Sequence, residues 1–199
     1  MKLMVVSSEH FFEGESKIVN QLFEEGLQRF HLRKPKSSAE DLERFINQIH
    51  PDFRSKISLH DHHHLAPDLG IYRLHLKEKL RVDLGVDLVG VISNSAYKYS
   101  TSVHSVEELK VIATQIEYAF LSPVFDSISK SNYHGFSSAN FKIKDEWKRT
   151  KVIGLGGIEE SNISQLKDMN FDGAAVLGYV WKKPEDAVKN FLKLKKYAE

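Results

Sequence analysis

No cysteine occurs among the 199 residues. Disulfides and thiolate chemistry are therefore excluded, which suits a reducing compartment such as the cytoplasm. An excess of one charge is also missing: 28 Lys and Arg against 27 Asp and Glu leave a formal net charge of +1. With no global field to gather nucleic acid or an anionic membrane, any anion must be bound by a local site. No apolar run is long enough to span a membrane. The stretch at Met1–Ser8 is too short for a signal peptide and reads as a first strand. Low-complexity segments and Pro/Gly/Ser linkers are lacking, so residues 1–199 read as one domain. Nothing like G-x-G-x-x-G follows the first strand, which argues against a dinucleotide site there.

What is present is alternation. Short apolar or β-branched runs predict strands at Lys2–Ser7, Arg29–Arg33, Lys56–His60, Tyr72–Leu76, Tyr97–Val103, Tyr118–Ser122, Lys151–Gly154 and Gly173–Leu177. Between them, Ser16–Leu27, Ser38–Ile49, Ser105–Ile116, Ser161–Met169 and Pro184–Tyr197 carry apolar residues at helical spacing. Ser38 and Asp41 fit a capped start, and Ser105 with Glu108 fits a capping box. Leu80–Ser95 reads either as an extra strand or as an irregular helix. Eight strands alternating with helices predict a single (β/α)8 TIM barrel, each unit averaging about 25 residues, near the short end for that fold. An open doubly wound sheet is the alternative.

In such a barrel the functional residues follow the C-terminal ends of the strands. Those ends present His31, Arg33 and Lys34; His60 and Asp61; His75; Ser102 and His104; Ser122, then Ser127, Ser129 and Lys130. The last two strands end in Gly156-Gly157 and Leu177-Gly178, where a ligand phosphate could meet backbone N–H groups. Each has a plainer reading: Arg33 and Lys34 as solvated charges, His104 as the residue before a helix cap, the serines as ordinary loop residues, the glycines as a tight turn. The run His60-Asp61-His62-His63-His64 invites a metal reading, with His60, Asp61, His62 and His64 as possible ligands. Consecutive histidines nevertheless match separated-ligand zinc motifs poorly, and a polar loop at the barrel mouth is the better expectation.

Taken in order and spacing, these residues resemble the thiamine phosphate synthase family and its TenI relatives. The resemblance rests on His31-Leu32-Arg33-Lys34, His60-Asp61, Leu74-His75-Leu76, Ser102-Val103-His104-Ser105, Ser122-Pro123-Val124-Phe125-Asp126-Ser127-Ile128-Ser129-Lys130 and the two glycine loops. It implies a TIM barrel and a small phosphate ester as ligand, held by Gly156, Gly157, Leu177 and Gly178. It further implies His31, Arg33, Asp61, His75, Ser102, Ser122, Ser127, Ser129 and Lys130 as substrate-binding residues. Synthases of the family join a pyrimidine diphosphate to a thiazole phosphate with Mg²⁺, whereas the TenI type aromatises a thiazole phosphate carboxylate by moving a proton.

The departures bear on that choice. Where synthases carry Gln-x-Arg-x-Lys, this chain has His31, Arg33 and Pro35. For Asn-Asp-Arg it has His60-Asp61-His62, and for His-Leu-Gly-Gln-x-Asp it has His75-Leu76-Lys77-Glu78-Lys79-Leu80. One of two magnesium-type carboxylates is thus lost. The Ser-Val-His-Ser run matches the TenI pattern and implies His104 as the acid/base, a role that suits an imidazole near neutral pH. The leading expectation is a TenI-like tautomerase without a cofactor. The alternatives are a Mg²⁺-dependent synthase with Asp61 as metal ligand, and an inactive binder of thiamine phosphates. A homo-oligomer is open, with Phe11-Phe12 or Phe136 as interface candidates.

Overall fold

Strand residues alternate between two apolar environments, and that alternation builds the fold. In β1 (Lys2–Val6), Leu3 and Val5 face a large cluster shared with the helices, while Met4 and Val6 face a smaller cluster with Tyr118, Phe120, Ile153 and Ala175. The smaller cluster is the inside of a closed barrel. Its remaining strands are β2 (Phe30–Leu32), β3 (Ile57–Leu59), β4 (Arg73–Leu76), β5 (Lys98–Val103), β6 (Tyr118–Leu121), β7 (Lys151–Leu155) and β8 (Gly173–Val176). All neighbours pair in parallel, and β1 closes the ring by pairing with both β2 and β8. The computed structural model describes residues 1–126 and 141–198. Eight parallel strands with intervening helices make the expected single (β/α)8 barrel rather than an open sheet.

The expected helices form, several of them shorter than their apolar periodicity. α1 spans Glu15–Glu24, α2 Ala39–Asn47 and α3 Pro51–Arg54. Ser38 caps α2 by accepting a hydrogen bond from the Asp41 N–H at 3.1 Å. The ambiguous stretch 80–95 is helical: α4 (Glu78–Leu84), a 3₁₀ turn and α5 (Leu88–Ser93). α6 (Val106–Val111) starts at the Ser105 cap and stops where Ile112 turns extended. α7 shrinks to Gln165–Asp168. The preceding residues are held as a turn by Asn162, which accepts from the Glu159 N–H and donates to the Gly157 carbonyl. α8 (Gly178–Trp181) and α9 (Ala187–Ala198) complete the chain, α9 following a 3₁₀ turn at Pro184–Asp186. Among the described residues no helix is long and apolar enough to cross a membrane.

One buried ion pair fixes the loop between β1 and α1. Lys34 Nζ donates to both Glu15 carboxylate oxygens at 2.7 Å, to Ser8 Oγ at 3.1 Å and to the His10 carbonyl at 2.9 Å. Its ammonium also lies 4.6 Å from the centre of the Phe11 ring. Both charged side chains are 1% exposed. Burial pushes the Glu15 carboxyl up and the Lys34 ammonium down, each offset by its partner. Lys34 is therefore a structural residue rather than a solvated charge or a ligand contact. Phe11 packs on Phe45 and Phe12 on Trp181, so both aromatics are used within the chain, while Phe136 lies outside the described residues. Removing only the ammonium, as in Lys34→Met, strands a buried carboxylate and should lower the unfolding free energy by about 3–5 kcal/mol in chemical denaturation. The double change with Glu15→Leu should restore most of that loss.

Candidate active site at the C-terminal mouth of the barrel

Half of the barrel interior is polar. On β2, Phe30 and Leu32 face the helices and His31 faces inward. Period two then carries His60 just past β3, His75 on β4, and Ser100 and Ser102 on β5 to the same interior. His31 Nδ1 meets His60 Nε2 at 2.9 Å, and His31 Nε2 meets the Tyr118 hydroxyl at 2.9 Å. His75 Nδ1 contacts Ser100 Oγ at 2.9 Å and its Nε2 contacts Ser102 Oγ at 3.1 Å. The rings of His60 and His75 stack at 3.9 Å between centroids, 13° from parallel. A neutral imidazole has one donor and one acceptor, so the Tyr118–His31–His60 chain must run in one consistent sense.

Burial keeps these rings neutral. Desolvation pulls His75 down to about 3, helped by nearby His63, Lys77 and Arg33. It lowers His31 and His60 well below the usual imidazole value, with neighbouring imidazoles and arginines adding to the effect. Arg33 and Lys77 act on both His60 and His75, which sets two fixed positive charges near this imidazole floor.

Around the mouth, most charges are already paired. Arg33 bonds Glu9 at 2.7 Å, and its guanidinium is 37% exposed. Arg81 bonds Glu108 at 2.7 Å. Lys77 Nζ is ion-paired to Asp61 Oδ1, while the other Asp61 oxygen is buried without a hydrogen-bond partner. His104 is half exposed. Its Nδ1 lies 3.1 Å from the Ser122 carbonyl oxygen and 3.3 Å from Ser122 Oγ, and its Nε2 lies 3.9 Å from Glu78. The bond between Ser122 and Pro123 is cis. Of the capping box expected next, the serine half forms, while the glutamate reaches the residue before the cap. Ser105 Oγ accepts from the Glu108 N–H at 3.1 Å, and Glu108 accepts from the His104 N–H at 3.2 Å. His104 thus occupies the position before a helix cap and still turns its ring to the mouth.

The two glycine loops flank one another, as β7 and β8 are paired. Gly156 and Gly157 have φ of +100° and +65°. A Cβ on Gly157 would lie 2.7 Å from the Phe125 carbonyl oxygen, so the turn requires glycine for both conformation and space. Gly178 differs, because a Cβ there would meet nothing within 4 Å. Ser127, Ser129 and Lys130 lie outside the described residues.

A magnesium ion suits this mouth poorly. Mg²⁺ takes oxygen ligands and usually one or two carboxylates. Here the first carboxylate, Asp61, is engaged by an ammonium of the chain itself. The second position is Leu80, 41% exposed on α4. Glu78 is turned toward His104. Among the described residues, the donor set therefore fits Mg²⁺ poorly: one carboxylate is replaced by Leu80 and one oxygen of the other is held by Lys77.

The structure brings His31, His75, Ser102, His104, Ser122 and Asp61 to or beneath the mouth. Sequence reasoning did not identify Tyr118 and Ser100 as their partners or Lys77 as the neutraliser of Asp61. Period-two counting from His31 and His75 across the neighbouring strands points to the first two. Of the consecutive histidines, only His60 enters the barrel. His62 Nε2 contacts the Ser37 carbonyl at 2.9 Å and His63 Nε2 the Leu59 carbonyl at 3.0 Å.

Similarity to known proteins covers nearly the whole chain. The profile of the family described as "Thiamine monophosphate synthase" matches residues 3–180. A thiamine-phosphate synthase of Clostridium tetani (strain Massachusetts / E88) is 23% identical over 193 residues, covering 94% of this chain and 90% of that protein. A thiamine-phosphate synthase of Bacteroides fragilis (strain ATCC 25285) is 23% identical over 172 residues, covering 81% and 83%. The crystal structure of thiamine phosphate pyrophosphorylase from Bacteroides thetaiotaomicron superposes with a TM-score of 0.79 at 34% identity, covering 100% of this chain and 98% of that one.

The open space at Gly178 offers a clean test. Gly178→Ala should leave the melting temperature unchanged or slightly raised, since the added methyl meets no protein atom. Affinity for a small phosphate ester should fall by about tenfold, equivalent to roughly 1.4 kcal/mol. Unchanged affinity in calorimetry would remove Gly178 from the site.

Proposed function

We propose, for a chain that belongs to the thiamine monophosphate synthase family, that its reaction is the TenI-type aromatisation of a thiazole phosphate carboxylate, with His104 moving the proton. The observation that carries this reading is the ion pair of Asp61 with Lys77, together with Leu80 at the second carboxylate position. Among the described residues, these leave one carboxylate engaged by an ammonium and the other replaced, beside a half-exposed imidazole.

The geometry supports the role of His104. In the tautomer that donates from Nδ1 to the Ser122 carbonyl, Nε2 is the base. Nε2 takes the proton from the ring carbon of the substrate. Glu78, 3.9 Å away, stabilises the imidazolium that results. The imidazolium then returns the proton to an unsaturated carbon outside the ring, so every ring atom becomes sp² and aromaticity drives the exchange. The glycine loops after β7 and β8 would hold the phosphate. Arg33 and Lys77 would supply positive potential for the carboxylate, and the neutral imidazole floor would add no titrating charge of its own. The cytoplasm is the compartment we assign.

The names of the relatives favour a second reading, a Mg²⁺-dependent synthase using Asp61. Incubation of the whole chain with pyrimidine diphosphate, thiazole phosphate and Mg²⁺ separates the two. Synthase product that disappears in Asp61→Ala would establish the second reading.

For the first reading, His104→Asn should cut aromatisation by about 10²–10⁴-fold while leaving thiazole phosphate binding measurable. Turnover at the wild-type rate in that variant would end the assignment.

A further inference from the structure

We propose that His31, His60 and His75 together form a site for one divalent transition-metal ion, such as zinc or cobalt, inside the barrel. The inference is independent of which reaction the mouth performs.

One nitrogen from each of the three rings lies within 4.8 Å of the other two, and all three side chains are buried. The tightest pair, His31 Nδ1 and His60 Nε2, is 2.9 Å apart. Metal–nitrogen bonds of about 2.0–2.1 Å in a tetrahedron place ligand nitrogens about 3.3 Å from one another. The cluster brackets that spacing, so side-chain rotation suffices. The stacked rings of His60 and His75 must splay, because an ion has to lie in the plane of each ring that binds it. The ligands come from three adjacent strands, unlike the consecutive histidines 62–64, whose described contacts turn His62 and His63 to backbone carbonyls.

Outer partners are already in place. A metal-bound imidazole holds its far nitrogen on a hydrogen-bonding group. Tyr118 stands at the far nitrogen of His31, and the serine hydroxyls of β5 stand at both nitrogens of His75, so one remains whichever nitrogen binds. Three imidazoles leave a fourth position open. His60, the most exposed of the three at 7%, puts that position on the mouth side. Arg33 and Lys77 disfavour a bare dication there and favour an anionic fourth ligand, such as hydroxide or a carboxylate. Nitrogen donors with no carboxylate among them select zinc, cobalt, nickel or copper rather than magnesium.

The test uses the full chain without an affinity tag, stripped with chelator and titrated with Zn²⁺ and Co²⁺. One zinc per chain is expected by elemental analysis, along with a visible d–d band for cobalt. X-ray absorption of the zinc form should show three imidazole nitrogens. Metal binding should be lost in His31→Gln and in His75→Gln and retained in His64→Ala. Tyr118→Phe should weaken it by about tenfold. Circular dichroism checks that the variants fold, and the X-ray absorption result on wild type stands even if they do not. Less than one zinc per chain, fewer than three imidazoles, or binding that survives His75→Gln in a folded variant would overturn the proposal. So would binding lost in His64→Ala alone.

Discussion

An imidazole sealed from water must find partners for both of its nitrogens, and the interior of this barrel is arranged around that requirement. His31 has Tyr118 on one side and His60 on the other, and His75 lies between two serines. Leaving any of these buried groups unpaired would cost about 1–3 kcal/mol. The polar side chains of β2 to β5 are therefore mutually obligatory, and the registers of those strands are fixed with them, since a one-residue slip would turn every histidine toward the helices. The opposite half of the interior, around Met4, Val6, Phe120, Ile153 and Ala175, closes the barrel with apolar packing instead.

The mouth follows a related rule. Its cations and carboxylates are matched in pairs: Arg33 with Glu9, Arg81 with Glu108, Lys77 with Asp61. The exposed one, Arg33 with Glu9, contributes little to stability. The effect of the pairs is to neutralise. The Lys77 ammonium converts what would be a metal-binding carboxylate into half of an internal ion pair. His104 meets the Ser122 carbonyl through Nδ1 and has its other nitrogen 3.9 Å from Glu78. The mouth is left with a half-exposed imidazole beside the Gly156-Gly157 turn.

Much of this was legible in the residues. Strand positions followed from short β-branched runs, and the closed barrel from their number and their alternation with helices. His104 and the glycine loops followed from their place at strand ends. What the sequence hid were relations across strands. Nothing adjacent to His31 names Tyr118, which is 87 residues away. Lys34, charged and next to Arg33, looked like a mouth residue. It points instead into the β1–α1 loop because Glu15 and the Phe11 ring offer it a better enclosure than water. Helix lengths were overestimated at α6, which ends where Ile112 turns extended, and at α7, whose start is delayed by the side-chain bonds of Asn162.

The division of the interior into a polar and an apolar half has a consequence for how this barrel can change. In most cores, tolerance to substitution varies with depth. Here it varies with direction. At equal depth, Ile153 or Met4 can be exchanged for a residue of similar volume at a cost usually under about 1.5 kcal/mol. His31 cannot be exchanged without disturbing Tyr118 and His60 together. The β7–β8–β1 side is thus free to drift one residue at a time, whereas the β2–β6 side can move only by concerted replacement of linked groups.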